Sequence, residues 1–461
     1  MKLKVDLRKL YFILVTILFL SANVFTQQHG LGLILNDPLL DSIPYAPTLM
    51  RGDYSDLPNK YSLKNFSPTP GSQGIYGTCC GWAVAYAGRT ILYAMNNNIP
   101  SDKIDSIVFS PSYVYNQIRE HENCLGGTSL FMGLDVIKDE GALMMKDFHY
   151  DCNLDVSNQD SIKASKYRIL EYRSVADFEQ KDKAKFVRKS ISEGKPVIIA
   201  LDTPQSLMRA NKLWIPDSSD YKYWGRGHAL TVLSYDDNYF GGAVEVMNSW
   251  GTKWGDGGYA WIKYDDFNYF CRLAIEIIEK PTIRRDSIDL SGSLTFIESN
   301  GLPFSIKYNG KYFETDSSYY PGTLFELFIS NYQPAYVYSF SSDQSNKINK
   351  IFPEFDQSSA YLPYKNNNIA IPAEDSYNLL DDEGGNSYYC FLYSKKKLDI
   401  DLIISQVNNS KDDIIESINA VLHDDLVAED NITWNIDNTI NFKAKSADKT
   451  TLLILIEIKL K

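Results

Sequence analysis

The sequence predicts an α+β chain with two parts: a two-lobed domain over residues 55–280 and a β-rich, sandwich-like domain over residues 281–461. In the first part, stretches with the apolar spacing of helices precede stretches with the composition of strands, an order typical of α+β folds. In the second part, short aromatic and β-branched stretches alternate with Gly, Asn, Asp and Pro, which indicates strands joined by turns. We call these parts the N-terminal domain and the accessory domain.

Helices are predicted in the first half of the N-terminal domain. Dense Ala, Leu, Ile and aromatic residues over 80–96 indicate a buried helix. Ser110 followed by Pro111 is typical of the cap and first turn of a second helix. Residues 129–140 and 176–193 also have helical spacing, and each stretch is followed by a glycine that ends the helix.

Strands are expected where apolar and β-branched residues form short runs. In the N-terminal domain these runs are Pro196–Leu201, His228–Tyr235, Ala243–Asn248, Tyr259–Tyr264 and Arg272–Ile278. In the accessory domain they are Ser291–Ser299, Lys311–Asp316, Leu324–Asn331, Ala335–Ser342, Asn386–Ser394 and Thr451–Leu460. One amphipathic helix is expected there, at residues 412–428.

Composition and charge exclude several classes of protein. With 44% apolar and 23% charged residues over 461 positions, the chain is neither disordered nor fibrous. Its net charge of −12 argues against nucleic acid as a partner. The accessory domain holds 16 basic and 26 acidic residues, a net charge of −10, so most of the acidity belongs to it.

The N-terminus has the features of an export signal. Four basic residues within positions 2–9 precede an apolar run of 11 residues, Leu10–Leu20. We expect a signal peptide over residues 1–26, with cleavage after Ala22 or Thr26, and a periplasmic, cell-surface or secreted protein. An uncleaved anchor is the alternative, but the run is too short for an ordinary span. No later segment could cross a membrane, and residues 27–54 form a short stretch without strong periodicity.

A cysteine and a histidine stand in positions suited to nucleophilic catalysis. Cys79 lies where a Gly-containing turn enters the predicted helix, and the positive end of a helix favours a thiolate. His228 opens an apolar strand after a Gly/Arg-rich loop, 149 residues after Cys79, and Asn248 follows 20 residues later. In papain-type enzymes the His and Asn lie about 130–150 residues past the Cys. The separation of His228 from Cys79 fits this range, and that of Asn248 is slightly larger.

With these elements in this order, residues 55–280 resemble the papain-like cysteine peptidases. The resemblance includes Leu57-Pro58, the Cys124-Leu125-Gly126-Gly127 element and the Asn-Ser-Trp-Gly-x-x-Trp-Gly element that begins at Asn248. It implies a helical lobe beside a β-barrel-like lobe. It also implies hydrolysis of protein or peptide substrates without a metal or cofactor.

Each catalytic role follows from the chemistry of the residue and matches the resemblance. Cys79 attacks the scissile carbonyl and forms a thioester. His228 holds the proton of Cys79 and delivers it to the leaving amine. Asn248 orients the imidazole, while the Gln73 amide and the Cys79 backbone N–H form the oxyanion hole. Trp250 shields the His–Asn hydrogen bond and contacts the leaving-group side.

The resemblance also assigns the wall of the cleft. Gly126 and Gly127 leave room for the substrate backbone to pair with it, although they are equally suited to a turn. Tyr76 occupies the place of a disulfide-forming cysteine in papain, so Cys124 lacks its usual partner. A Cys124–Cys152 bridge is one expectation, and two free thiols are the other.

Two departures leave alternatives open. Cys80 stands directly after Cys79, and only the six-residue spacing from Gln73 selects Cys79 as the nucleophile. In addition, the stretch between the signal and Leu57 is too short for the long helical propeptide of papain-type precursors. Either this short segment blocks the cleft, or activity is controlled in another way.

The accessory domain resembles a β-rich domain of unknown function appended to bacterial peptidases, which indicates a bacterial protein. The matching stretches are Gln333–Tyr338, Ile351–Pro353 and Ala370–Pro372. Its ligand is not specified by the sequence. The acidic stretch Asp381-Asp382-Glu383-Gly384 is typical of a solvated turn, with a cation site as the alternative.

Two other functions compete with peptide hydrolysis. The first is a catalytically silent module of papain fold that serves recognition or adhesion, against which the complete Gln, Cys, His and Asn set argues. The second is an amidase or acyltransferase that uses the same chemistry on a non-protein substrate.

Overall fold

The computed structural model describes residues 29–121, 123–222, 226–281, 288–342, 348–380, 386–410 and 412–461. The predicted signal peptide, residues 1–26, and the acidic stretch 381–384 lie outside these residues. The described chain consists of helices and largely antiparallel sheets, which confirms the predicted α+β class with a β-rich C-terminal part. Among the described helices, none has the length and apolar character needed to cross a bilayer.

The α-helices have the following bounds: α1 Arg51–Ser55, α2 Cys79–Gly81, α3 Thr90–Asn96, α4 Pro111–Ile118, α5 Leu130–Asp135, α6 Asn158–Ala164, α7 Lys183–Ser192, α8 Tyr264–Phe270, α9 Ile400–Asn408 and α10 Ile414–Leu422. A π-helical stretch, Trp82–Arg89, joins α2 to α3, so that residues 79–96 form one continuous helix as predicted. Every residue from 79 to 92 is buried, and apart from Arg89, which pairs with Glu279 at 2.6 Å, these residues are apolar, aromatic or small.

The N-terminal domain contains one antiparallel sheet. Its strands are β1 Lys60–Ser62, β2 Glu171–Ala176, β3 Val197–Asp202, β4 Gly227–Asp236, β5 Ala243–Met247, β6 Tyr259–Lys263 and β7 Cys271–Ile278. The strand order is β2-β7-β3-β4-β5-β6, with β1 paired to β4. The edge strands β2 and β6 do not pair with each other, so within the described residues the sheet stays open and does not close the expected barrel-like lobe.

The accessory domain consists of two sheets that enclose one apolar core. The strands are β8 Leu290–Glu298, β9 Ile306–Tyr308, β10 Phe313–Thr315, β11 Leu324–Asn331, β12 Ala335–Ser342, β13 Ile348–Phe352, β14 Tyr361–Leu362, β15 Asn367–Ile371, β16 Asn378–Leu379, β17 Asn386–Ser394, β18 Ile432–Ile436, β19 Ile440–Ala444 and β20 Thr451–Lys459. One sheet has the order β13-β12-β17-β20-β10-β9, and the other has the order β15-β11-β8-β19-β18.

Along the central strands of this domain, successive side chains point to opposite faces of the sheet. Along β17, Phe391 and Tyr393 belong to the core between the sheets, whereas Cys390 and Leu392 lie on the opposite face and pack with α9 and α10. A strand whose faces are both covered is apolar at every position, and this accounts for the continuous run of aromatic and aliphatic residues in β17.

Two predicted helices have different bounds in the structure. The helix expected at 176–193 begins only at Lys183, because Asp182 caps it by accepting a hydrogen bond from Lys185 N. Of the residues predicted as helix before Lys183, Ala176 ends β2 and residues 177–182 form a loop. The helix expected at 412–428 ends at Leu422, and it is preceded by α9, which periodicity alone did not reveal.

A buried charged network joins the two domains. Arg173 on β2 forms a 2.7 Å ion pair with Glu276 on β7, and both side chains are almost fully buried. Arg173 also donates to the backbone oxygen of Tyr361 at 2.6 Å, and the Tyr364 hydroxyl donates to Glu276. Burial acts to raise the pKa of Glu276, but the charge of Arg173 and the Tyr364 hydrogen bond hold it below its ordinary value.

We expect Arg173→Met to lower the free energy of unfolding by about 3–5 kcal/mol, because it leaves Glu276 buried without its cation. The matched control is Arg209→Met, which breaks an ion pair with Asp217 whose two side chains are 68% and 57% exposed. Its cost is below about 1 kcal/mol. Urea denaturation of the two variants measures the difference, and equal losses of stability would contradict the role given to the network.

Candidate active site

Cys79 is the first residue of the long helix and is fully buried. The turn before it is held by Tyr150, whose hydroxyl lies 2.9 Å from Thr78 Oγ1 and donates to the backbone oxygen of Gln73 at 3.1 Å. One phenol therefore links the turn that carries Gln73 to the residue that precedes the thiol.

His228 and Asn248 meet at the adjoining ends of β4 and β5. The register pairs Thr231 with Met247, which places Asn248 opposite Leu230 and His228 two residues further along β4, within reach of the Asn248 side chain. His228 Nε2 is 2.8 Å from Asn248 Oδ1, and that oxygen also accepts a hydrogen bond from Ser249 N at 2.7 Å. Since Oδ1 can only accept, Nε2 carries the hydrogen, and Nδ1 is the ring nitrogen available to Cys79.

The environment of Cys79 favours its thiolate. Burial acts to raise the pKa of this thiol, but hydrogen bonds from Cys80 and His228 and the charge of His228 lower it well below its ordinary value. Cys80 shows the opposite behaviour, because its hydrogen bond with Cys79 and its burial raise its pKa well above the ordinary value. The two adjacent thiols are therefore distinct in their chemistry.

Trp250 stacks on two histidine rings. Its ring centroid lies 4.6 Å from that of His228 and 4.7 Å from that of His29. Burial and the nearby charge of His228 both lower the pKa of His29. The indole is only 1% exposed and covers the imidazole of His228.

Gln73 is fully buried beside Cys79, and Ser249 holds its side chain. The Ser249 hydroxyl donates to Gln73 Oε1 at 2.5 Å, and Gln73 N donates to the backbone oxygen of Ser249 at 2.8 Å. With Oε1 occupied, the amide nitrogen is directed elsewhere: it donates to the carbonyl oxygens of Tyr76 at 2.6 Å and of Gly30 at 3.1 Å.

The predicted glycine element forms one wall beside the thiol. The carbonyl of Gly126 accepts a hydrogen bond from Tyr115 at 2.8 Å, and a side-chain carbon at Gly127 would lie 3.1 Å from the carbonyl oxygen of Gly32. A disulfide joins Cys124 to Cys152, whose Cα atoms are 5.9 Å apart. It ties this wall to the chain that carries Tyr150.

Residues 29–34, which we call the covering segment, lie along this wall and over the site. Gly32 O accepts from Thr128 N at 2.8 Å, and Ile34 N donates to Thr128 O at 3.2 Å. On the opposite side, Leu33 N donates to Gly227 O at 3.3 Å. Its Gly30 carbonyl accepts from both Gln73 Nε2 and, at 3.3 Å, Trp250 Nε1.

Glycine is required twice in the covering segment. A Cβ atom at Gly30 would lie 1.9 Å from the carbonyl oxygen of Tyr76, and one at Gly32 would lie 1.8 Å from that of Gly77. Both neighbours are backbone atoms, which cannot rotate away as a side chain would. The backbone of the segment can approach the wall this closely only without side chains at these two positions.

The structure thus brings together Cys79, His228, Asn248, Gln73 and Trp250, with Gly126 and Gly127 beside them. Sequence reasoning did not find His29, Thr128, Tyr150 or Ser249. Only Ser249 had a local signal, because it directly follows Asn248. The other three reach the site through tertiary contacts of their own segments.

Comparisons with known proteins give one family and a set of solved structures. Residues 76–279 match the family described as papain family cysteine protease. Xylellain, a cysteine protease from Xylella fastidiosa, is 21% identical; the match covers 56% of this chain and 98% of xylellain, with a TM-score of 0.46. Digestive procathepsin L 3 of Tenebrio molitor larval midgut is 14% identical, with 55% and 77% covered and a TM-score of 0.43. The bromelain protease from Ananas comosus is 17% identical, with 48% and 100% covered and a TM-score of 0.39. No curated protein matches the chain significantly.

The lowered pKa of Cys79 predicts alkylation of this thiol well below the pH at which a free thiol reacts. In the full chain with Gly32→Ala, whose added methyl group would meet Gly77 O and displace the covering segment, the rate of Cys79 modification by a haloacetamide rises with pH around a midpoint well below that of a free thiol. His228→Ala moves this midpoint upward, because the hydrogen bond and the charge from the imidazole are removed. Mass spectrometry of the peptide that contains both cysteines measures it.

Cys80 lies in the same peptide and is the internal control, since its pKa is raised. It remains unmodified over the pH range in which Cys79 reacts. Parallel modification of the two cysteines would contradict the assignment of the thiolate to Cys79.

Proposed function

We propose that this chain, of which residues 76–279 match the family described as papain family cysteine protease, hydrolyses peptide bonds through a thioester on Cys79. His228 is the acid and base of the reaction, Asn248 orients its ring, and Gln73 donates to the oxyanion. The observation that carries this proposal is the junction of a buried thiol of lowered pKa with an imidazole whose other nitrogen is hydrogen-bonded to Asn248 at 2.8 Å.

The chemistry proceeds in two balanced steps. The Cys79 thiolate attacks the carbonyl carbon, and the C–N bond breaks as the imidazolium of His228 gives its proton to the leaving amine. Water then attacks the thioester carbon while His228 takes one of its protons. The C–S bond breaks, the carboxylic acid leaves, and the thiolate of Cys79 and the imidazolium of His228 form again. In both steps the negative charge on the carbonyl oxygen is stabilised by Gln73 Nε2 and by the backbone N–H of Cys79.

The covering segment supports a closed, precursor-like state. The Gly30 carbonyl occupies the Gln73 amide, and Thr128 is paired with the segment at both its N–H and its carbonyl. A substrate needs the same backbone donors and acceptors, so the segment must leave before a peptide binds. Of the two alternatives that the sequence left open, we therefore choose the first, in which the short N-terminal stretch blocks the cleft, and we assign this role to residues 29–34.

We further propose that the protein is exported. The basic and apolar residues within positions 2–20 support a cleaved signal peptide. The Cys124–Cys152 disulfide is consistent with an oxidising compartment, where such bonds persist.

Gly32→Ala tests the closed state in the full chain. The added methyl group meets the carbonyl of Gly77 and displaces the covering segment. We therefore expect the rate of peptide hydrolysis to rise about tenfold or more, equivalent to a loss of about 1.4 kcal/mol in the free energy of closure. Turnover of a fluorogenic peptide library measures this effect. The matched control is Gly133→Ala in α5, where the new methyl group would lie 3.5 Å from its nearest neighbours, an ordinary contact. Equal rates in the two variants would contradict a blocking role for the segment.

The nucleophile is tested in the Gly32→Ala background. Cys79→Ala lowers hydrolysis by about 10³-fold or more, because no thioester can form. Cys80→Ala retains hydrolysis but moves the ascending limb of the pH profile upward, since Cys79 loses one of the hydrogen bonds that lower its pKa. The reverse pattern would assign the nucleophile to Cys80. If an epoxide thiol trap labels neither Cys79 nor Cys80 in the Gly32→Ala chain, a catalytically silent module is favoured.

A further inference from the structure

The accessory domain binds the chain that leads out of the cleft. Residues 44–46 lie as an extended stretch between β2 of the N-terminal domain and residues 357–359 of the accessory domain. On one side, two backbone hydrogen bonds of 2.7 and 2.8 Å join this stretch to Ser174. On the other side, Tyr45 donates to Gln357 and accepts from Ser359, both at 2.8 Å. The stretch is thus paired on both edges.

Charged contacts continue this binding a few residues later. The carboxylate of Asp53 accepts from the backbone and side-chain nitrogens of Asn368, at 2.9 and 3.0 Å. Arg51 pairs with Asp375 at 2.5 Å, and its backbone N–H donates to Glu374 at 2.7 Å. These partners all belong to β15 or to the turn that follows it.

Apolar side chains add to these contacts. Leu49 and Tyr54 are only 7% and 8% exposed and form part of the apolar core of the accessory domain. Tyr54 also contacts Phe186 of α7 edge to face, with ring centroids 5.1 Å apart. Residues 44–54, which we call the anchor segment, are therefore held by backbone, charged and apolar contacts to both domains.

The covering segment by itself is short. Its contacts with the site are backbone hydrogen bonds of mainly 3.1–3.3 Å, the stack of His29 on Trp250 and the burial of Leu33. The chain itself joins the covering segment to β1 at Lys60, through a linker of about 25 residues. The contacts of the anchor segment from residue 44 onward shorten this free linker to about ten residues, and this raises the effective concentration of the cover at the cleft several-fold, about as the 3/2 power of the ratio of the two lengths.

We propose that the accessory domain is a holding module that keeps the covering segment in the cleft by binding the anchor segment. This inference rests on the proposed function, because it assigns the domain the control of access to Cys79. It gives residues 281–461 a function within the chain itself. Closure then depends on two sites, a cleft that is covered by backbone contacts and an anchor that is bound by side chains.

The test measures access to Cys79 without requiring hydrolysis. The full chain with Arg51→Ala and Asp53→Ala is treated with an epoxide thiol trap, and mass spectrometry follows the rate of labelling of Cys79. We expect labelling about fourfold faster than in the unaltered chain, because the free linker of the covering segment lengthens from about ten to about 25 residues. The matched control is Arg209→Ala with Asp217→Ala, an exposed pair of the same residue types, which leaves the rate unchanged.

A second experiment tests the inference without relying on correct folding of the anchor variant. A recognition site for a sequence-specific protease is inserted after Leu39, which is 41% exposed and lies between the covering and anchor segments. Cutting the folded chain there separates the cover from its anchor while both domains stay intact. Labelling of Cys79 should rise after the cut, with the uncut chain as its own control.

The outcomes separate this inference from the proposed function. Slow labelling in both the anchor variant and the cut chain, beside fast labelling in Gly32→Ala, would overturn the holding module alone. Fast labelling in all three without hydrolysis of any peptide would support the holding module and overturn the proposed function. Slow labelling in all three, Gly32→Ala included, would overturn both.

Discussion

The hydrogen bond between His228 and Asn248 is the interaction on which the rest of the site depends. It sets which imidazole nitrogen is free for Cys79, and it does so with a neutral amide. A carboxylate in this buried place would need compensation for a desolvation cost of several kcal/mol. The bond in turn requires the register of β4 against β5, so the chemistry of the thiol depends on the pairing of two strands that are remote from it in sequence.

Burial makes this arrangement effective and also constrains it. Cys79, His228 and Gln73 are fully buried, and Trp250 closes the site above the His–Asn pair. Charges interact more strongly where water is excluded, which favours a thiolate–imidazolium pair over isolated groups. The same burial would disfavour a lone thiolate, as the pKa of Cys390, raised by burial, illustrates. The partner of Cys79, more than its place at a helix start, therefore decides which cysteine ionises.

Local sequence was sufficient to predict much of this site. The Gln73–Cys79 turn and the His228 and Asn248 positions stand in short stretches whose composition indicates their chemistry, and β11, β12 and β17 have the bounds that their composition predicts. Other features depend on partners distant in sequence. The sequence did not predict β2, because this strand forms by pairing with β7, which is distant in sequence. The covering segment has no periodicity, because backbone contacts with the cleft define its position. In that segment only Gly30 and Gly32 carry a signal, and their role needs the positions of Tyr76 and Gly77.

The covering segment and the anchor segment contribute to closure of the site in different ways, and their compositions explain the difference. A cover that lies against a wall of backbone needs glycine where the two backbones come closest, and glycine loses much conformational entropy when it is ordered. The buried side chains of His29 and Leu33 act against this cost. The anchor segment has the opposite composition: its Tyr, Leu, Arg and Asp side chains bind specifically but lie too far from Cys79 to block it. Neither segment closes the site alone, and it is the accessory domain that makes their combination bind as a single unit.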